Sequence, residues 1–499
     1  MKRAKQIYVG IDMGAASGRI VAGLWDGRTM ALDELHRFPN GPVYLGDTMR
    51  WDVLHFWTEI QDGLAAAGKK YSKKIISVGA DTWGSDHVLL TKSGEILGQP
   101  FHYRDARTSG MMDKAFRAMP RAAIFSRTGT QFQPFNTLYQ LLAMKEQSPE
   151  LLAQADCLLL IPDFIHWCLC GSRRAEFTNA TTTQCLNPSI RKWAGDLLKK
   201  TGLPTSIFPK IVPPGTKLGT LRASVACQLG LEKIQVVAPA THDTASAVVG
   251  VPTVHSGKTN WAYISSGTWS LMGVEVRQAC LSPRVLELNM TNEGGFGGTY
   301  RLLKNIMGLW LVQQCKRSFD GRGGQSDYGE LERAAAAARP LRSLLNVNHP
   351  QFYNPPDMPR AIQDFCRETG QYIPKTKGEL IRCAYESLAL QYRQTLGWLE
   401  ELTGERIEVI HIVGGGSQNR ILNQFTADAC QRPVLAGPTE ATIMGNLLVQ
   451  AWSAGEIGSL SEMREVIRRS SSMTTNEPTD SDMWTVAANR FGQLQKEPD

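Results

Sequence analysis

Residues 261–276 read WAYISSGTWSLMGVEV, a β-rich run, a turn of small residues, and a second β-rich run. Residues 7–23, IYVGIDMGAASGRIVAG, follow the same pattern with different residues. The two stretches stand roughly half a chain apart, which is the sign of a duplicated architecture. In each, the small-residue turn joins strand to strand. A dinucleotide-binding turn instead opens a helix, which argues against that fold. The first turn, Gly14-Ala15-Ala16-Ser17-Gly18-Arg19, lacks the lysine that the P-loop pattern demands. Its backbone amides could still approach phosphate oxygens, since small residues leave them uncovered. Ser265 to Thr268 offer the same geometry in the second half. A plain tight hairpin explains either turn alone, and the pair carries more weight than each.

The bulk properties agree with two large domains. A chain of 499 residues exceeds what one hydrophobic core serves. We expect a boundary in the turn-rich segment 248–258, dividing the chain into 1–250 and 251–499. The net charge of +7 suits a small anionic substrate, or nothing beyond a solvated surface. No basic run alternates with aromatics, so a nucleic-acid partner is not expected. No apolar run spans a membrane, and Asp12 interrupts the first one too early for a secretory signal. A cytoplasmic protein without a membrane partner, monomer or homodimer, is the expectation. The 10 cysteines include no CxxC pair, which argues against a cysteine-built metal cluster. Beyond about residue 456 the chain turns polar, and a frayed tail is expected.

The segment ATHDTASAVVG, residues 240–250, sets a bare carboxylate, Asp243, where an apolar strand gives way to a helix. Asp and Thr are favoured helix caps, which is one reading. The other is a general base: a carboxylate among small residues, kept ionised by a helix N-terminus, with room for a hydroxyl substrate. Asp12, at a strand end, is either a turn-starting residue or an oxygen ligand for a hard cation. Gly414-Gly415-Gly416 sits between a strand and a helix, and the Rossmann spacing fails at Asn419.

Taken in order, DMGAASGR, HRFPNGP, DTWGSDHVLL, YRDART, FNTLYQL, TNATTTQ, HDTASAV, SSGTWSLMG, TNEGG, LKNIMGLWL and HIVGGGSQN resemble the FGGY carbohydrate kinases over almost the whole chain. The resemblance implies an α/β protein of two actin-like ATPase (ribonuclease-H-like) domains with a catalytic cleft between them. It implies transfer of the ATP γ-phosphate to the 1-hydroxyl of a ketose, L-rhamnulose before L-fuculose or a polyol, with Mg2+. Asp243 would be the catalytic base. Gly84, His242, Thr244 and Asn305 would line the sugar site, and Trp83 could stack on a sugar face or be a buried core tryptophan. Ala15, Ala16, Ser17, Gly18, Arg19, Thr268, Gln313 and Gly415 would hold the nucleotide, and Asp12 the metal. Arg104, Asp105 and Arg107 would form a salt-bridge network nearby. FNTLYQL departs from the commoner Lys-Leu-x-Trp-Leu of the family, which counts against a glycerol or xylulose substrate. The same fold serves ATP-driven switch proteins, but no added peptide-binding domain is evident.

Overall fold

A computed structural model describes residues 6–231, 234–321, 327–479 and 482–495. The chain forms two compact units. The first gathers residues 1–256, 275–302 and 441–471, and the second residues 257–274, 303–440 and 472–499.

In the first unit, β1 (Gln6–Met13), β2 (Ser17–Trp25) and β3 (Met30–Pro39) form an antiparallel meander. Asp26 makes the second turn, its carboxylate accepting from the amides of Arg28 and Thr29. The helix α1 (Val53–Tyr71) starts at Asp52, which caps the His55 amide, and ends with Lys69 and Lys70 facing its negative pole. It leads to β4 (Ile75–Thr82), which returns parallel to β1. β5 (Thr216–Thr220) and β6 (Gln235–Ala238) complete a six-stranded sheet in the order β5-β6-β4-β1-β2-β3. Apolar residues cover both faces of β1: Ile7, Val9 and Ile11 join one core with Phe56, Ile60 and Leu64 of α1. Tyr8 joins another. From β6 the chain enters the short helix α2 (Asp243–Val249).

The second unit repeats the plan. β7 (Trp261–Ser266) and β8 (Trp269–Val276) form an antiparallel hairpin. β9 (Tyr300–Met307), α3 (Trp310–Gly321) and the long helix α4 (Lys377–Thr403) follow. A full capping box at Thr376 and Glu379 fixes where α4 begins. β10 (Val409–Val413) lies parallel to β7, as β4 does to β1. Asn419 then caps α5 (Arg420–Cys430), and β11 (Val434–Ala436) pairs parallel to β10. The strand–turn–strand hairpin inferred from the two sequence echoes is thus present in both halves, and each hairpin has a parallel neighbour on one side.

The helix α6 (Ala441–Ser453) belongs to the first unit, where it packs on the sheet. Its fit explains a glycine inside a strand: a Cβ on Gly10 would fall 2.3 Å from Ile443 Cδ1. Gly445 lets α6 and α2 touch, since a Cβ there would lie 1.9 Å from the Ser246 carbonyl oxygen. The expected frayed tail is not what forms. α7 (Leu460–Ser470) buries Met463, Val466 and Ile467, β12 (Thr474–Asn476) pairs with β11, and α8 (Asp482–Leu494) buries Trp484, Ala487 and Phe491. The polar composition hid three widely spaced apolar anchors, which suffice for an amphipathic helix. Residues 496–499 lie outside the described residues.

Candidate active site

Parallel pairing of β1 with β4 aligns Asp12 with Asp81 at neighbouring strand ends. Antiparallel pairing of β1 with β2 sets Asp12 opposite Arg19. Arg19 donates from Nε and Nη2 to Asp12 Oδ2 at 3.0 and 2.8 Å. The Arg19 guanidinium, in the segment expected to hold the nucleotide, thus pairs with Asp12, with Glu34 at 3.8 Å. The turn itself is tight: the Gly14 amide donates to the Ser17 carbonyl, and Asn40 braces it by bonding Gly14 and Ala16. Ala15, Ala16, Ser17 and Gly18 lie in or beside this turn.

The end of β4 also positions the segment that carries Asp243. The Thr82 amide donates to the Thr241 carbonyl at 2.9 Å, and Thr82 bridges His242 in parallel fashion. Asn179 bonds the carbonyls of both Trp83 and Thr241. Glu176, fully buried, accepts from the amide and hydroxyl of Thr241 and from those of Thr178. The His242 amide in turn donates to Thr178 Oγ1. Asp12, Asp81, Gly84, His242, Asp243 and Thr244 thus belong to one connected part of the first unit.

Asp243 is the first residue of α2, and His242 holds the capping position without a side-chain cap. The capping reading therefore fails for Asp243. Its Oδ1 accepts from the Thr244 amide and hydroxyl, and its side chain stays 30% exposed. Its pKa lies above the ordinary carboxylate value. Burial is the largest cause and Asp12 adds to it, while His242 and Thr244 oppose. The helix terminus was expected to hold the group ionised, but dense surroundings outweigh two polar neighbours. Asp81, fully buried, is pushed well above its ordinary value, first by burial and then by Asp12. Its Oδ2 accepts from Asn446 of α6 at 2.6 Å. Asp81 was not singled out from the sequence, although it opens the quoted DTWG.

Gly84 has no room for a side chain, since a Cβ would stand 2.7 Å from Thr182 Oγ1. Trp83 is 7% exposed and packs against Trp51 and Phe56, its indole N–H bonding Asp86 at 2.9 Å. That places its ring in the core. In YRDAR, Asp105 accepts from the Met49 and Arg107 amides, and Arg107 stacks on Phe101 and bonds Gln140. The segment NGPVYLGDTMRWD makes a hairpin, Val43–Leu45 with Thr48–Arg50.

In the second unit, the turn after β7 meets the start of α3 and the triple-glycine turn. The amides of Leu309 and Trp310 donate to the carbonyls of Gly267 and Thr268. Thr268 Oγ1 donates to Gln313 Oε1 at 3.2 Å. Gly416 abuts Ser266, where a Cβ would fall 2.0 Å from Oγ. Gly415 opens the short helical turn Gly415–Gln418. Thr268, Gln313 and Gly415 are thus held around one turn. Asn305 is half-buried on β9.

Known proteins match this chain end to end. The model of the FGGY family of carbohydrate kinases, N-terminal domain, matches residues 7–250, and the C-terminal domain matches residues 262–454. A rhamnulokinase of Bacteroides thetaiotaomicron is 42% identical, over 98% of this chain and 99% of the relative. One of Bacillus subtilis is 42% identical, over 96% and 97%. One of Pectobacterium carotovorum reaches 45%, over 92% and 90%. Among solved structures, a xylulose kinase from Lactobacillus acidophilus superposes with a TM-score of 0.78 at 16% identity, covering 98% of this chain and 96% of its own. The Plasmodium falciparum glycerol kinase gives 0.79 at 15%, covering 99% of each. The fold is the two-domain kinase fold, and the chain belongs to the FGGY family of carbohydrate kinases.

Proposed function

We propose that this enzyme transfers the γ-phosphoryl group of ATP to the 1-hydroxyl of L-rhamnulose, giving L-rhamnulose 1-phosphate and ADP. The relatives at 42–45% identity, named rhamnulokinases, support the substrate. The observation that carries the chemistry is Asp243, a carboxylate raised by burial yet 30% exposed, at the start of a helix among small residues. In this reading Asp243 accepts the hydroxyl proton as the sugar oxygen bonds to γ-phosphorus. The bond from γ-phosphorus to the bridging oxygen breaks, and ADP leaves with the electron pair. Phosphoryl transfer runs through a loose transition state, so positioning and charge neutralisation supply most of the rate.

His242, Thr244, Gly84 and Asn305 are assigned to the sugar, and the first hairpin, Thr268, Gln313 and Gly415 to the nucleotide. Asp12 is assigned to magnesium. Both bonds from Arg19 land on Oδ2, which leaves Oδ1 for a cation or its water. Among the described residues no three His, Cys, Asp or Glu side chains are grouped to hold a metal. Magnesium does not require such a cage: one or two carboxylates, water and substrate phosphates are its usual set. When bound with ATP it neutralises phosphate charge. We place the division between the two family domains at 250/251, in line with the matched ranges. We assign the enzyme to the cytoplasm, the source of its ATP, and no described helix is long and apolar enough to cross a membrane.

A panel of ketoses and polyols, with ADP release as readout, tests the assignment. L-rhamnulose should give the highest kcat/KM. Strong turnover of L-fuculose with none of L-rhamnulose would overturn the substrate. ATP hydrolysis indifferent to every sugar would overturn the kinase reading itself.

A further inference from the structure

His242 does more than flank Asp243, because a buried ion pair grips its far side. Arg301 is 0% exposed and Glu293 3% exposed. Arg301 Nη2 lies 3.1 Å from His242 Nδ1 and 3.1 Å from Glu293 Oε2. Glu293 Oε2 lies 3.2 Å from the same Nδ1, closing a triangle. The other ring nitrogen, Nε2, faces Asp243 Oδ1 at 3.5 Å. The triangle is itself anchored, since Arg301 Nε donates to the Gly294 carbonyl and the Gly294 amide donates to Thr181 Oγ1.

The neighbours of Nδ1 decide where the ring carries its hydrogen. A neutral ring accepts from Arg301 at Nδ1, so its hydrogen sits on Nε2. A protonated ring carries a hydrogen on both nitrogens, with the Glu293 carboxylate 3.2 Å from Nδ1 as its counter-charge. The remaining tautomer would aim a bare lone pair at the Asp243 carboxylate and is disfavoured while that group is ionised. Either state that the triangle accommodates therefore keeps a hydrogen on Nε2, the ring nitrogen 3.5 Å from Asp243 Oδ1. An ion pair this deeply buried is a weak source of stability, and apolar residues of similar volume would pack as well. Its worth lies in orientation, as for the carboxylate that orients the histidine of a hydrolase triad.

We propose that Glu293 and Arg301 are positioning residues for phosphoryl transfer, fixing the His242 ring with Nε2–H toward Asp243 and so holding that carboxylate in its base-competent orientation. The inference rests on Asp243 being the base.

The test is a double-mutant cycle on the full enzyme, with kcat and both KM values measured at one pH for wild type, E293Q, H242A and E293Q/H242A, and with D243N alongside. E293Q is expected to lower kcat about tenfold and to leave KM for ATP within about twofold, because the lost contact orients one side chain. In the H242A background the same change should cost less than about twofold, since its route to Asp243 is already cut. Equal losses in both backgrounds, or no loss at all, would overturn the inference. Where E293Q does not fold, R301K takes its place in the cycle, with the same expectation and the same refutation. A D243N enzyme with wild-type kcat would instead remove the base assignment, whatever the cycle shows.

Discussion

Replacing Asp243 by Asn separates catalysis from folding with one atom. The amide cannot take a proton from the sugar hydroxyl. A carboxylate base contributes about 10²–10⁴ in rate, or about 2.7–5.4 kcal/mol of barrier. The fold should keep its local bonds, because an Asn Oδ1 can still accept from the Thr244 amide and hydroxyl. The sign of the stability change follows from the pKa. Asp243 is raised above the ordinary carboxylate value, so the folded state holds its proton over a window where the unfolded state has lost it. Stability falls as pH rises through that window, and at neutral pH the ionised carboxylate costs the fold something. Asn carries no such charge. D243N should therefore melt at the wild-type temperature or above it, while kcat in a coupled ADP assay drops at least a hundredfold. A kcat within about tenfold of wild type would refute the base. A melting temperature several degrees lower would refute the claim that burial, not partnership, dominates this carboxylate.

Two further substitutions probe its surroundings. Gly84→Ala forces a methyl against Thr182, whose hydroxyl is tied to the Ser85 amide and the Asn179 carbonyl and cannot swing away. It should cost about 1–3 kcal/mol of stability and raise KM for the ketose, and calorimetry with unchanged melting and kinetics would count against the tight fit. Asp12→Asn removes a charge that raises both Asp81 and Asp243, so the acid limb of the kcat–pH profile should move to lower pH. It should also raise the magnesium concentration needed for half-maximal rate, and an unchanged titration would detach Asp12 from the metal.

What the sequence made legible was what chain-local patterns carry. Two strand–turn–strand echoes disclosed a duplicated fold because hairpins are formed by neighbours in sequence. Asp243 stood out because a lone carboxylate at a strand-to-helix junction is a local event. The choice for Trp83 between a sugar face and the core was not legible for the opposite reason: its ring direction is set by Asp86 and Trp51, and Trp51 lies far from it in the chain. The return of α6 to the first unit rests on Gly10 meeting Ile443, a contact that no window of sequence contains. The partners of Asp105 and Arg107, the Met49 amide and the Phe101 ring among them, likewise come from other parts of the chain or from ring packing that no short window discloses.

The same contrast explains why the site concentrates acid. Parallel register puts equivalent strand ends side by side, so Asp12 and Asp81 are neighbours by topology although each sequence segment shows only one carboxylate. Their repulsion is a cost, and burial increases it. Two things offset it within the first unit: Arg19 bonds Asp12, and Asn446, carried back by α6, bonds Asp81. Neither reaches Asp243, whose relief comes from His242 and Thr244. A carboxylate compensated by arginine would be a poor base, since the cation would hold its charge in place and lower its proton affinity. Asp243 is left with neighbours that orient it and surroundings that raise it, and that combination is what separates a proton acceptor from a structural acid at the same strand ends.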